Sequence, residues 1–154
     1  MDFCEATNEL AAAMGLPPVV PDETGAFSLL FDNRCEIAFS PDSEDGSVIF
    51  HADLGDASPL DGAACRALLT ASLLGAKTGG AAFSIDPGTA RVIFWKRYGA
   101  FAGRADLEKA LGEFLGQVLF WQKRLADGSL SETERTEPDS SPLPPWRLNE
   151  MIAI

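Results

Sequence analysis

A chain of 154 residues, 46% apolar and 23% charged, has the size and make-up of one globular domain. Its net charge of −11 opposes binding to nucleic acid or to an anionic lipid surface, and favours solubility or a basic partner. No apolar run reaches the roughly 18 residues of a membrane span, the opening MDFCEATNEL lacks the basic stretch of a secretion signal, and the three distant cysteines, Cys4, Cys35 and Cys65, suit reduced thiols rather than a disulfide framework.

The first element is a short helix. Asp2 is placed to cap it, and Phe3, Ala6, Leu10, Ala13 and Met14 recur at helical spacing, with Glu5 and Glu9 facing out. Gly15 stands where a left-handed C-cap residue belongs, and Pro17-Pro18 prevents continuation. Residues 17–25, PPVVPDETG, read as a linker.

Three strands are expected next, over 27–31, 35–39 and 47–54. Phe27, Leu29 and Phe31 share one face of the first, and Cys35, Ile37 and Phe39 one face of the second. Val48, Phe50 and Leu54 share one face of the third, with Ile49, His51 and Asp53 on the other. Asp32-Asn33 is a turn signal, and residues 41–46, PDSEDG, form a loop. One clean apolar side predicts an antiparallel meander.

Residues 61–74 then predict a helix without a clean polar face. Ala64, Leu68 and Ala71 lie along one side, and Leu69 and Leu73 along another. Such a helix wants burial on more than one side. A second copy of the chain is the economical cover, and Leu68, Leu69, Ser72 and Leu73 are the expected dimer positions. A Gly-rich corner follows that requires positive φ at Gly79 or Gly80. Strands over 81–86 and 91–98 pair around Pro87-Gly88-Thr89. In the second of these both faces are apolar, Val92 and Phe94 on one and Ile93 and Trp95 on the other, so something must cover each.

The last helix spans 104–127. Leu107, Leu111, Phe114, Leu115, Val118, Leu119, Gln122 and Leu125 make a wide stripe, and Gly128 ends it. Gly112 and Gly116 each cost about 1 kcal/mol relative to Ala inside a helix, and are read as room for a close neighbour. The domain thus covers 1–127. Residues 128–154 change character: SLSETERTEPDSSP is acidic and Pro/Ser-rich and is expected to be disordered, whereas LPPWRLNEMIAI regains apolar residues. It is either a loose tail or a strand or peptide docked on this or another molecule.

Helix, three strands, helix, two strands, helix is an α+β arrangement, a twisted antiparallel sheet with helices packed on it. That order, with residues 68–95 (LLTASLLGAKTGGAAFSIDPGTARVIFW) and residues 103–125 (GRADLEKALGEFLGQVLFWQKRL), resembles the class I type III secretion chaperones, the Tir chaperone (CesT) family. The resemblance covers residues 1 to about 127. It implies a bacterial cytoplasmic homodimer with no enzymatic activity and no cofactor. It further implies that the chain holds the N-terminal region of a secreted effector in extended form, without ATP, soluble and competent for export. In that family the client pockets involve the first helix and first strands, which here points to Leu10, Met14, Phe27, Leu29, Phe31, Ile37 and Phe39. A charge at Phe31 or Phe39 is then expected to abolish client binding while the dimer survives. The competing reading is a small dimeric α+β ligand-binding domain or enzyme with a pocket between sheet and helix.

Other chemistry finds little support. Lys77-Thr78 lacks the glycines of a phosphate-binding loop, and that corner joins helix to strand rather than strand to helix. The single histidine, His51, cannot anchor a metal cluster, no nucleophile-elbow sequence accompanies it, and it reads as a solvent-facing strand residue. Residues 42–46 are too short and mis-spaced for a calcium loop. Nothing selects a carboxylate pair for glycoside chemistry.

Overall fold

The structure is a computed structural model that describes residues 2–128, 130 and 151–153. The expectation of disorder over 129–142 lies outside the described residues, Leu130 apart.

Helix α1 (Phe3–Ala13) begins with a reciprocal cap. The Asp2 carboxylate accepts the Cys4 N–H at 3.3 Å, and the Glu5 carboxylate accepts the Asp2 N–H at 3.1 Å. Glu5 therefore closes the helix start rather than merely facing out. Phe3, Ala6, Thr7, Leu10 and Ala11 are buried, and Gly15 leaves the helix with φ +70°.

Strands β1 (Phe27–Phe31), β2 (Cys35–Pro41) and β3 (Val48–Asp56) form the meander. Phe27 lies opposite Phe39, Phe31 opposite Cys35, and Phe39 opposite Phe50. The β1–β2 turn places Asp32 and Asn33 at φ 52° and 50°, a conformation these residues tolerate better than most. After β3 come helix α2 (Gly62–Ala71), the hairpin of β4 (Ala82–Asp86) and β5 (Arg91–Tyr98), and helix α3 (Arg104–Asp127). A sixth strand, β6, spans Met151–Ala153. The sheet order is β4-β5-β3-β2-β1-β6, antiparallel throughout. Between β3 and β5 the register shifts at Asp53 and Gly55, a bulge that bends β3.

Helices α1 and α3 cover one sheet face. The Phe3 ring stacks on Phe27 with centroids 5.6 Å apart, Phe114 meets Phe50 edge-on at 5.7 Å, and Trp121 meets Phe83 edge-on at 4.9 Å. Trp121 is fully enclosed, although it falls outside the stripe read from the sequence. The other sheet face, carrying Leu30, Glu36, Ala38, Ser40, Ile49, His51, Ile93 and Trp95, is half-buried to exposed.

Two expectations are corrected. Helix α2 stops at Ala71 rather than 74. A 3-10 turn over Leu73–Gly75 follows, with Leu74 at φ 51°. The corner after it is tight: a Cβ on Gly75 would lie 2.4 Å from the Gly80 Cα, so only glycine fits. Gly79 and Gly80 both take positive φ, 63° and 88°. The second correction concerns Gly112 and Gly116, where an added Cβ would meet nothing within 4 Å. Among the described residues no neighbour approaches them closely.

Candidate functional site

Six large apolar side chains are exposed among the described residues; Val20 apart, Leu69, Leu73, Leu74 and Ile85 belong to α2, the turn after it and the edge strand β4, and Trp95 stands on the open face of β5. Leu69 (70% exposed) and Leu73 (67%) project from α2 and its following turn, Leu74 (96%) from the turn itself, Ile85 from β4, and Trp95 from the neighbouring β5. Asp61 fixes where α2 starts by accepting the Ala64 N–H at 2.8 Å. Its end is fixed by the Ser72 hydroxyl, which accepts the Phe83 N–H at 3.2 Å. With both ends set, Leu68 and Ala71 enter the core and Leu69 and Leu73 are turned to solvent. Exposed apolar side chains gathered in this way mark an interaction surface.

The four expected dimer positions therefore divide. Leu69 and Leu73 are free on the surface. Leu68 is 3% exposed and belongs to the chain's own core, and Ser72 is half-buried and committed to β4. Leu74, next to Leu73, and Ile85 on the edge strand are exposed without having been singled out as interface residues, and Trp95 is exposed on the other sheet face. The signal for Trp95 was present, in a strand apolar on both faces.

The opposite end of the sheet offers a different chemistry. In β1, Phe27, Leu29 and Phe31 point into the core, and Ser28 and Leu30 lie on the open face. Its inner edge is paired with β2. Its outer edge is paired with β6: Leu29 with Ala153, Leu30 with Ile152 and Phe31 with Met151. The outer edge thus accepts an extended segment through main-chain hydrogen bonds.

Of the seven expected client-pocket residues, Leu10, Phe27, Leu29, Phe31, Ile37 and Phe39 are buried beneath the helices, and Met14 is partly buried against them. They pack the sheet against α1 and α3 instead of lining an open pocket. The expected test at Phe31 or Phe39 is corrected accordingly. A carboxylate at either place would sit unpaired in the core and cost several kcal/mol, so it would unfold the domain before it informed on binding.

Several charged and titratable groups are engaged structurally. A cleft of about 440 Å³ opens between the start of α1 and the loops around Pro21, Pro41 and Phe101. Of its two carboxylates, Asp2 caps α1 and Asp42 holds Arg97 at 3.1 Å. Asp45 holds Arg97 as well, at 3.0 Å, so the acidic run 42–46 secures the β2–β3 loop against β5. His51 lies on the open sheet face, as expected, and is half-buried there, with Ser40 Oγ 3.4 Å from its Nε2. Burial holds its pKa below the usual histidine value, partly offset by Glu36, so the ring is neutral at pH 7. Burial pushes the Cys35 thiol up to about 12, which leaves it unreactive. Thr78, in the would-be phosphate loop, is buried and donates to the Ala81 carbonyl. Among the described residues no group of three or more His, Cys, Asp or Glu is placed to hold a metal ion, and no helix is long and apolar enough to cross a membrane.

Comparison with known proteins agrees with this architecture. In the ExsC–ExsE complex, the similar chain is 26% identical, with a TM-score of 0.66, over 80% of this chain and 96% of that one. The HopA1–SchA chaperone–effector complex gives 14% identity and a TM-score of 0.66 over 77% and 91%. The Yersinia pestis type III secretion chaperone SycH, in complex with a stable fragment of YscM2, gives 14% and 0.60 over 77% and 98%. No curated protein sequence matches. The family model for the Tir chaperone protein (CesT) family matches residues 5–122, which takes in most of α1, α2, the five strands β1 to β5 and most of α3. With fold, element order and sequence model in agreement over most of its length, the chain belongs to the Tir chaperone protein (CesT) family.

Proposed function

We propose that this protein is a type III secretion chaperone that binds the N-terminal region of a secreted effector in extended form and keeps it soluble and export-competent in the bacterial cytoplasm. Its work is binding rather than catalysis, and it needs neither ATP nor a cofactor. The observation that carries this reading is the outer edge of β1, a main-chain surface able to take an extended segment, in a fold shared at 26% identity with a protein solved in complex with a second one. Strand addition supplies affinity through the main chain and specificity through alternate side chains. Leu30, on the open face of β1, gives such a strand an apolar neighbour.

The same reading assigns the β4 end to self-association. Leu69 and Leu73, with Leu74 and Ile85 beside them, are covered by a second copy of the chain. Client and twin therefore occupy opposite ends of the sheet and do not compete.

Co-purification from the native host, with identification of the bound protein by mass spectrometry, tests the proposal. One secreted protein should be recovered, held through its N-terminal segment, with the complex stable to added ATP. Recovery of no secreted protein, or release by ATP, would overturn it.

A further inference from the structure

The five strands of the family domain leave β1 at the margin of the sheet, and the chain itself fills that margin. The filling strand, Met151–Ala153, lies beyond residue 122, where the family match ends. We infer that β6 is a tethered placeholder on the outer edge of β1, and that a client binds by strand exchange, displacing Met151–Ala153 from Leu29–Phe31. The inference rests on the chaperone reading above and assigns that site its regulation.

Two features of the pairing support displacement over permanent closure. The first is length. Among the described residues, β6 pairs with Leu29–Phe31, three of the five residues of β1. A client strand running the full length of β1 gains further ladder hydrogen bonds and passes beside more of the open face. The second is the tether. Leu130 is anchored in the core, and twenty residues of sequence, 131–150, join it to β6. The strand is thus covalently attached to the domain whose edge it fills, which presents it at an effective concentration on the order of millimolar. A three-residue strand too weak to bind by itself is thereby held in place, yet a longer strand can outcompete it.

The placeholder has two consequences. With no client present it pairs an edge that would otherwise recruit strands indiscriminately, the usual hazard of an exposed sheet margin. It also sets a threshold. If β6 occupies the edge about nine-tenths of the time, apparent client affinity falls about tenfold, because only the vacant fraction is competent. Short or poorly matched segments are rejected by that margin.

The test uses the full chain with Met151→Pro or Ile152→Pro. Antiparallel ladders alternate between paired and unpaired N–H groups, so one of the two prolines removes a ladder donor whichever alternation holds. Both substitutions fall in β6, outside the helices and β1 to β5, so circular dichroism should be essentially unchanged. The probe is a fluorescein-labelled peptide of residues 143–154, followed by fluorescence polarisation. It should bind the more disruptive variant about tenfold more tightly than the parent chain, because the edge is vacated. Equal binding to parent and to both variants, or binding to none, would overturn the inference. A second measurement separates this from the chaperone reading. A partner recovered by co-purification should be held at least about threefold more tightly by that variant than by the parent. A partner held equally by all three ends the strand-exchange inference and leaves the chaperone function standing. Recovery of no partner at all ends both.

Discussion

Ser72 Oγ accepts the main-chain N–H of Phe83 at 3.2 Å while donating to the Leu68 carbonyl at 2.9 Å. This single hydroxyl pins the end of α2 to the edge strand β4 and so decides which side chains of α2 are left outside. Leu69→Asp and Leu73→Asp are therefore expected to be harmless to the isolated subunit, changing its stability by no more than about 0.5 kcal/mol, as exposed substitutions do. In the dimer proposed above each buries an unpaired charge, so dissociation is expected. Light scattering on the variants should report monomers with unchanged circular dichroism. A persisting dimer would place the interface elsewhere.

Phe50 is the hub of the sheet–helix contact, fully buried against Phe3, Phe39, Tyr98, Phe101 and Phe114. Phe50→Ala removes a large side chain from a place where neither β3 nor α3 can collapse easily. A loss of about 3–5 kcal/mol is expected, read as a lowered midpoint in urea. A loss under about 1 kcal/mol would mean that the site relaxes far more than this packing allows.

Gly116 lies inside α3 with nothing within 4 Å of where a Cβ would stand. Its cost is backbone entropy alone, so Gly116→Ala should stabilise the domain by up to about 1 kcal/mol. A raised thermal midpoint checks this. A fall would show that an assembly partner approaches α3 at that point.

His51 gives the fold a pH dependence whose sign follows from its environment. Its folded pKa is lowered, chiefly by burial, so the folded state binds its proton less readily than the unfolded state. The contribution is fully present above the unfolded value of about 6.5 and is lost as pH falls below it. Denaturation midpoints of the parent chain should drop between pH 7.5 and 5.5, and His51→Gln should flatten that part of the curve. An identical slope in both proteins would show that other groups carry the dependence.

Much of this architecture can be read from residue order alone, because its signals are local. Capping by Asp2 and Asp61, the punctuation at Gly15, Asp32-Asn33 and Gly128, and the two-residue alternation of β1 to β3 act between residues near in sequence, and α3 spans 104–127 as its stripe indicates. The apolar excess of α2 and β5 is likewise a property of the chain as written, and it foretold a surface needing cover. Which residues make that surface is not local. Leu68 and Leu69 are neighbours with the same side chain, yet one is 3% and the other 70% exposed. Helical periodicity separates the two sides, and the way α2 docks, with Ser72 bonded to Phe83 eleven residues later, goes with Leu68 being the one that enters the core. The apolar alternation of β1 and β2 fits a client pocket as well as a core, and only the placement of α1 and α3 over that face selects core. The partner of β1's outer edge was beyond sequence reading for the same reason. Strand pairing between residues more than a hundred positions apart leaves no periodic trace, and it is decided when the sheet has assembled and one margin is left to fill.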